Sequence, residues 1–218
     1  MGFYEWFILT GMSSGVIVGA IQYQRLPHSM RYLFYLFCCS LILEIAADYR
    51  MLVHQRNNLV YYHVMTVIQY TFLSLLLRNN ISFIATKKKI FISIIGVLFC
   101  EFLLLGTVQD IYQSPSWIRL ISRLLLLYWI LSYLKSLLQS DNPIPLLSIP
   151  AFWVCLGLLV YFISFLQVGL MNFMIDADDQ VAVFWYHFSL WFDALFYLIC
   201  TYSLWLASKQ TAQKLQYD

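Results

Sequence analysis

Nine strongly polar side chains interrupt long apolar stretches of this sequence: Glu44, Asp48, His63, Gln69, Glu101, Arg123, Gln167, His187 and Asp193. In hydrocarbon a charged side chain costs about 2.5–3.5 kcal/mol on insertion scales, so such groups face a protein interior or a wet cavity and are functional candidates by default. Their spacing groups them. Glu44 and Asp48 are four residues apart and share a helix face, as do Arg119 and Arg123. His63, Thr66 and Tyr70 share one face; Ser189, Asp193 and Tyr197 share another, with His187 to one side. A buried arginine among acids is held by charge-assisted hydrogen bonds. Arg123 is therefore expected to pair with at least one of Glu44, Asp48, Glu101 or Asp193. Two readings stay open: a structural ion-pair network that fixes helix register, or a solvated pocket for a ligand, ion or substrate, formed by Glu44, Asp48, His63, Glu101, Arg123, His187 and Asp193. Gln69 and Gln167 read as interhelical hydrogen-bond partners, and His28 and His54 as interfacial residues.

Several chemistries are testable against these residues. His63, His187, Glu44, Asp48 and Asp193 include the ligand types of a zinc site. Seven-helix lipid amidases, however, carry an HxxxH pair on their last helix; the matching stretch here reads His187-Phe-Ser-Leu-Trp191, without the second histidine. Neither a GxSxG nor an HExxH motif occurs, and no metal or cofactor is expected. An intramembrane hydrolase acting on lipid therefore stands as an alternative, as does a transporter of protons or small solutes, although no internal repeat or matched pair of helix prolines supports the latter. Retinal is not expected, because its lysine must lie inside the last membrane span, and Lys209 and Lys214 lie beyond the last apolar run. Histidine is the side chain whose charge most readily changes near neutral pH, which suits a ligand or pH detector.

The elements that must position these groups are membrane helices. The chain has 218 residues, 61% of them hydrophobic and 11% charged, with a mean hydropathy of +0.73. Soluble domains carry about 25% charged residues; these few could not coat a water-soluble particle of this size. The net charge of +2 argues against nucleic-acid binding. Seven apolar runs approach the ~20 residues a span needs: Phe3–Gln22, Tyr32–Leu52, Leu59–Leu77, Ile90–Thr107, Trp117–Leu138, Ile149–Phe173 and Val183–Ala207. Short connections rich in Pro, Asn and Asp separate them. The fold expected is an all-α integral membrane protein, a single seven-transmembrane-helix bundle over residues 1–218, multi-pass in a bacterial inner (plasma) membrane. The first run lacks a basic leader and is read as a retained helix rather than a cleaved signal.

Orientation follows from Lys and Arg in the short loops. With the N-terminus out and the C-terminus in, the inner side holds nine basic residues, led by Lys87, Lys88 and Lys89, and the outer side holds Arg50, Arg56 and Arg119. That topology sets Glu44, Asp48, His63, Glu101, Arg123 and His187 in the outer half, with Gln69 and Asp193 nearer the middle. The first run also carries Gly11, Gly15 and Gly19 on one face. Such a stripe lets another backbone approach closely, from a neighbouring helix or from a second copy of the chain in a homo-oligomer. The five cysteines all lie in apolar runs and read as small packing residues.

The stretch Asn57-Asn-Leu-Val-Tyr-Tyr-His63, continuing to Gln69-Tyr70, and the stretch Pro150-Ala-Phe-Trp153 with Gly157 and Tyr161 resemble small seven-helix proteins of Bacteroidetes. Members of that group usually have Glu where Gln69 stands, so a proton-linked role at this position is in doubt. Some are encoded beside, or fused to, sensor histidine kinases. The resemblance implies a signalling-type membrane protein and supplies no catalytic residues. The expectation is a sensor or signalling accessory with an outward-facing polar pocket, seated in the lipid bilayer and working through a membrane or cytoplasmic partner protein.

Overall fold

The computed structural model describes the backbone of residues 3–54, 57–81, 83–107, 111–112, 116–139, 145–173 and 179–217. Side chains are described for residues 6–53, 57–81, 83–105, 107, 111–112, 117–139, 145–163 and 188–212. The described residues form seven α-helices: α1 (Phe3–Ile21), α2 (His28–His54), α3 (Leu59–Asn80), α4 (Ile84–Thr107), α5 (Ser116–Leu138), α6 (Pro150–Phe173) and α7 (Asp179–Tyr217). Short 3-10 turns at Tyr23–Arg25 and Leu146–Ser148 follow α1 and precede α6.

Helix boundaries have local causes. Pro27, which cannot donate a backbone hydrogen bond, stands just before α2, and its carbonyl accepts from the amides of Met30 and Arg31. Pro150 opens α6 at the position where its missing N–H is harmless. Before α3, the Asn57 side chain accepts from the Leu59 amide, an Asx turn that starts the helix. Several helices exceed their apolar runs, α4 and α7 among them. The first turns of α4 take in Lys87, Lys88 and Lys89. The 39 residues of α7 extend about 58 Å at 1.5 Å per residue, far beyond the ~30 Å hydrocarbon core. Its final turns are built largely from Ala, Gln, Lys and Leu, all good helix formers.

The chain divides into two compact units. The first comprises residues 1–26 and 144–218 and contains α1, α6 and α7; α7 lies against both of the others. Its seams are set by small residues. A Cβ placed on Gly11 would lie 3.1 Å from the Tyr197 Cβ, and one on Gly157 would lie 3.3 Å from the Ile199 Cγ2. Gly15 and Gly19 are buried as well. Ser14 and Thr201 meet at 3.3 Å across α1 and α7, the Ser203 hydroxyl donates to the Pro150 carbonyl at 2.7 Å, and the Gln210 amide donates to the Ser148 carbonyl. Cys155 and Cys200 are buried in this core as free thiols.

The second unit, residues 27–143, holds α2 to α5. Here α3 is central and lies against α2, α4 and α5. Its core includes Leu33, Phe37, Tyr70, Leu76, Leu77, Ile90, Val97 and Ile118.

Much of the described surface outside these cores is apolar. On α4 the residues Phe91, Ile92, Ile95, Leu98, Phe99, Phe102 and Leu103 are all exposed, Phe102 to 77%. In water such a patch would drive association; against lipid tails it is at rest. Four described segments are long and apolar enough to cross a membrane: His28–Val53, Leu59–Asn80, Trp117–Leu138 and Phe188–Ala212. Trp6–Ile21 and Pro150–Ile163 are shorter apolar helices. These are the dimensions of a multi-pass integral membrane protein.

Gly96 contrasts with Gly11 and Gly157. Nothing lies within 4 Å of a Cβ built there, and glycine in a helix interior costs roughly 0.5–1 kcal/mol relative to alanine. Gly96→Ala is expected to leave the fold intact and to raise stability by about that amount, measured as the thermal unfolding midpoint in detergent.

Candidate functional site

The candidate site lies in the unit formed by α2 to α5. His63 sits in the second turn of α3 and is 3% exposed. Its Nδ1 lies 2.7 Å from Oε1 of Glu101 on α4, whose side chain is 10% exposed. The other carboxyl oxygen of Glu101, Oε2, is buried and has no hydrogen-bond partner among the described residues. Beside this pair the Tyr62 hydroxyl donates to Oε1 of Glu44 on α2 at 3.3 Å. Thr66, one turn along α3, is buried and returns its hydroxyl to the Tyr62 carbonyl.

About two turns further along α3 a second polar layer closes the seam. The Trp129 indole N–H donates to the Tyr70 hydroxyl at 3.4 Å, Tyr70 donates to the Ser93 hydroxyl at 2.7 Å, and Ser93 donates to the Ile90 carbonyl at 2.7 Å. Every hydroxyl and indole hydrogen in this relay is used, and Tyr70 is fully buried. Buried polar groups satisfied in this way specify register and rigidify a core. His63 with Glu101 and Tyr70 with Ser93 are therefore two rungs of one antiparallel α3–α4 pair.

The same register locates the remaining candidates. Trp129 stands level with Tyr70, so Ser122 and Arg123, about two turns earlier on α5, stand level with His63. Ser122 is buried and donates to the Arg119 carbonyl. Arg123 is half-buried, as are Glu44 and Asp48 on α2, and all three are engaged with neighbouring groups. The Arg50 guanidinium lies 5.9 Å from the Tyr61 ring centroid. Asn57 donates to the Tyr112 carbonyl at 2.7 Å, joining the α2–α3 and α4–α5 connections at the His63 end of the unit.

Of the seven pocket residues expected from sequence, the structure brings His63 and Glu101 into direct contact. It places Glu44 on the tyrosine adjacent to His63, and sets Asp48 one turn beyond Glu44 on α2. Asp193 belongs to α7 in the other unit, half-buried and followed by the buried Ala194. The backbone of His187 is helical, but its side chain lies outside the described residues, as do those of Gln167 and His54. Gln69 is half-buried and His28 exposed on the first turn of α2. Among the described residues no three His, Cys, Asp or Glu side chains gather as a metal site.

Sequence reasoning missed the Tyr70–Ser93–Trp129 layer. A signal existed: counting back from Glu101 in helical steps passes Val97, Ile94, Ser93 and Ile90, the buried face of α4 apart from the half-buried Ser93.

Chemically, the site is a buried acid–base pair with one carboxyl oxygen left to a donor. It can hold a proton between imidazole and carboxyl, and it can accept a hydrogen bond from a hydroxyl or an ammonium group. Comparison with protein-family models, curated proteins and solved structures finds no match.

Proposed function

We propose that this chain is a seven-span membrane sensor, N-terminus out and C-terminus in, which binds a small hydrogen-bond-donating solute at Glu101 and reports it through a partner protein. One observation carries the reading. An oxygen of the buried Glu101 carboxyl group has no donor among the described residues, beside an oxygen that is well paired. Unsatisfied buried polar groups are uncommon and call for a specific explanation; a site that a solute completes is such an explanation. The loop charges support the orientation, which turns the His63 end of the α2–α5 unit outward. The Tyr70 layer supports binding over passage: the polar seam ends there in a relay whose donors are all used. The apolar exterior supports the multi-pass reading.

The test is solvent access. In a variant whose five native cysteines are replaced by alanine or serine, Thr66→Cys is expected to react with a small, membrane-impermeant thiol reagent added from outside and not from inside. Small amines or polyols are expected to slow the reaction, and Glu101→Gln to remove that protection. A Thr66→Cys variant inert to the reagent from both faces would show a dry, purely structural pair and end the proposal.

A further inference from the structure

The opposite end of the α2–α5 unit has a different electrostatic character. Ring contacts of Tyr32 and Tyr35 with Phe72 place the start of α2 beside the end of α3. The antiparallel α3–α4 register places the start of α4 there too, and α5 ends at the same level. These four helix ends carry Arg31, Arg78, Lys87, Lys88, Lys89 and Lys135, and no acidic residue among the described residues; Asp141 lies outside them. The acids of the unit's helices, Glu44, Asp48 and Glu101, stand toward the other end.

A basic end is what membrane topology requires of any inward-facing loop, so charge alone decides nothing. Arg78 adds a specific feature. Its guanidinium carbon lies 5.7 Å from the Phe91 ring centroid, while its Nε is buried with no hydrogen-bond partner among the described residues. The group is thus held in place over an aromatic face. Phe83 and Ile84, at the tip between α3 and α4, are 63% and 72% exposed, and Lys88 and Lys89 follow about one turn later, both exposed. Apolar side chains next to exposed lysines at a helix end match the boundary between acyl chains and phosphates.

We infer that the α3–α4 end of this unit is a binding site for the phosphate headgroup of an anionic phospholipid, with the Arg78 guanidinium taking the phosphate oxygens and Lys87, Lys88 and Lys89 adding attraction. Arginine suits this task because its planar donors engage two phosphate oxygens at once. The inference is independent of the solute site at Glu101.

The test uses the full chain in mild detergent, with phosphatidylglycerol and phosphatidylcholine of equal acyl length, read by lipid adducts in native mass spectrometry. Wild-type protein is expected to prefer phosphatidylglycerol. A basic side chain near a membrane surface is worth about a fivefold change in binding, so Arg78→Gln is expected to weaken phosphatidylglycerol binding about fivefold. The triple variant K87Q/K88Q/K89Q, which leaves the fully buried residues untouched, is expected to weaken it further. Arg50→Gln, at the opposite end of the same unit, is expected to change nothing. The inference is overturned if wild-type protein shows no preference, or if the folded triple variant keeps the full preference. It is equally overturned if R50Q costs as much as R78Q, or if millimolar glycerol phosphate displaces the lipid completely, which would mark a soluble-phosphate site.

Discussion

Glu101→Leu is expected to destabilise the protein by about 1–3 kcal/mol, and adding His63→Leu is expected to restore most of that loss. Removing one partner of a buried hydrogen bond leaves the other polar group desolvated and unpaired, at a cost of roughly that size. Replacing both partners with apolar groups removes the orphan, and the result is often near neutral. His63 and Glu101 meet these conditions, being 2.7 Å apart with side chains 3% and 10% exposed. His63→Leu alone is expected to cost a similar amount. Unfolding of the four proteins in one detergent, followed by intrinsic fluorescence, gives the coupling between the two side chains directly. Additive losses in the double variant would mean that the two groups do not act as a pair. The double variant also separates the two meanings of the site. It is expected to fold with near wild-type stability and yet to lose amine protection at Thr66→Cys, because the carboxyl oxygen that accepts the solute is gone.

The helices were legible in the sequence because the bilayer imposes a length on them and because prolines and asparagines mark the connections. Individual site residues were legible for a related reason: Glu101 and His63 are conspicuous in apolar runs. That these two would meet was not legible. Helical periodicity tells which residues share a face, and says nothing about how far a neighbouring helix is shifted or rotated. The contact between His63 and Glu101 depends on the α3–α4 register, which is held by the uncharged groups Tyr70, Ser93 and Trp129; Tyr70 stood out on the His63 face, but its partners did not. Arg123 illustrates the same limit. Its height near Glu101 follows from the Trp129–Tyr70 contact, a relation that no one-dimensional pattern contains. The division into two units was likewise not legible, since the first unit joins α1 to α6 and α7 across more than a hundred intervening residues. The glycine stripe of α1 was plain in the sequence, whereas the helix that packs on Gly11 was not.

That stripe carries the second large effect. Lipid tails are as apolar as leucine, so helices in a membrane gain little from hydrophobic burial against one another and depend on close contact and hydrogen bonds. At Gly11 a bare Cβ would already stand 3.1 Å from the Tyr197 Cβ, with the Ala194 carbonyl oxygen at 3.8 Å. The nearest atom belongs to the root of the Tyr197 side chain, so it cannot swing away as a flexible tip would. Gly11→Ala therefore requires a shift of a few tenths of an ångström, whereas Gly11→Leu requires α1 and α7 to part. Overpacking of this kind costs about 1–3 kcal/mol. Its local signature is the Ser14–Thr201 contact one turn away, at 3.3 Å. In a background free of the native cysteines, S14C/T201C is expected to form a disulfide rapidly on mild oxidation. Adding G11L is expected to slow that reaction at least tenfold while G96A leaves it unchanged. If the stripe served a second copy of the chain instead, G11L would dissociate the oligomer and spare the cross-link within each chain. Gly11 itself lies against Tyr197 of the same chain, and a cross-link indifferent to G11L would show that this contact does not hold α1 to α7.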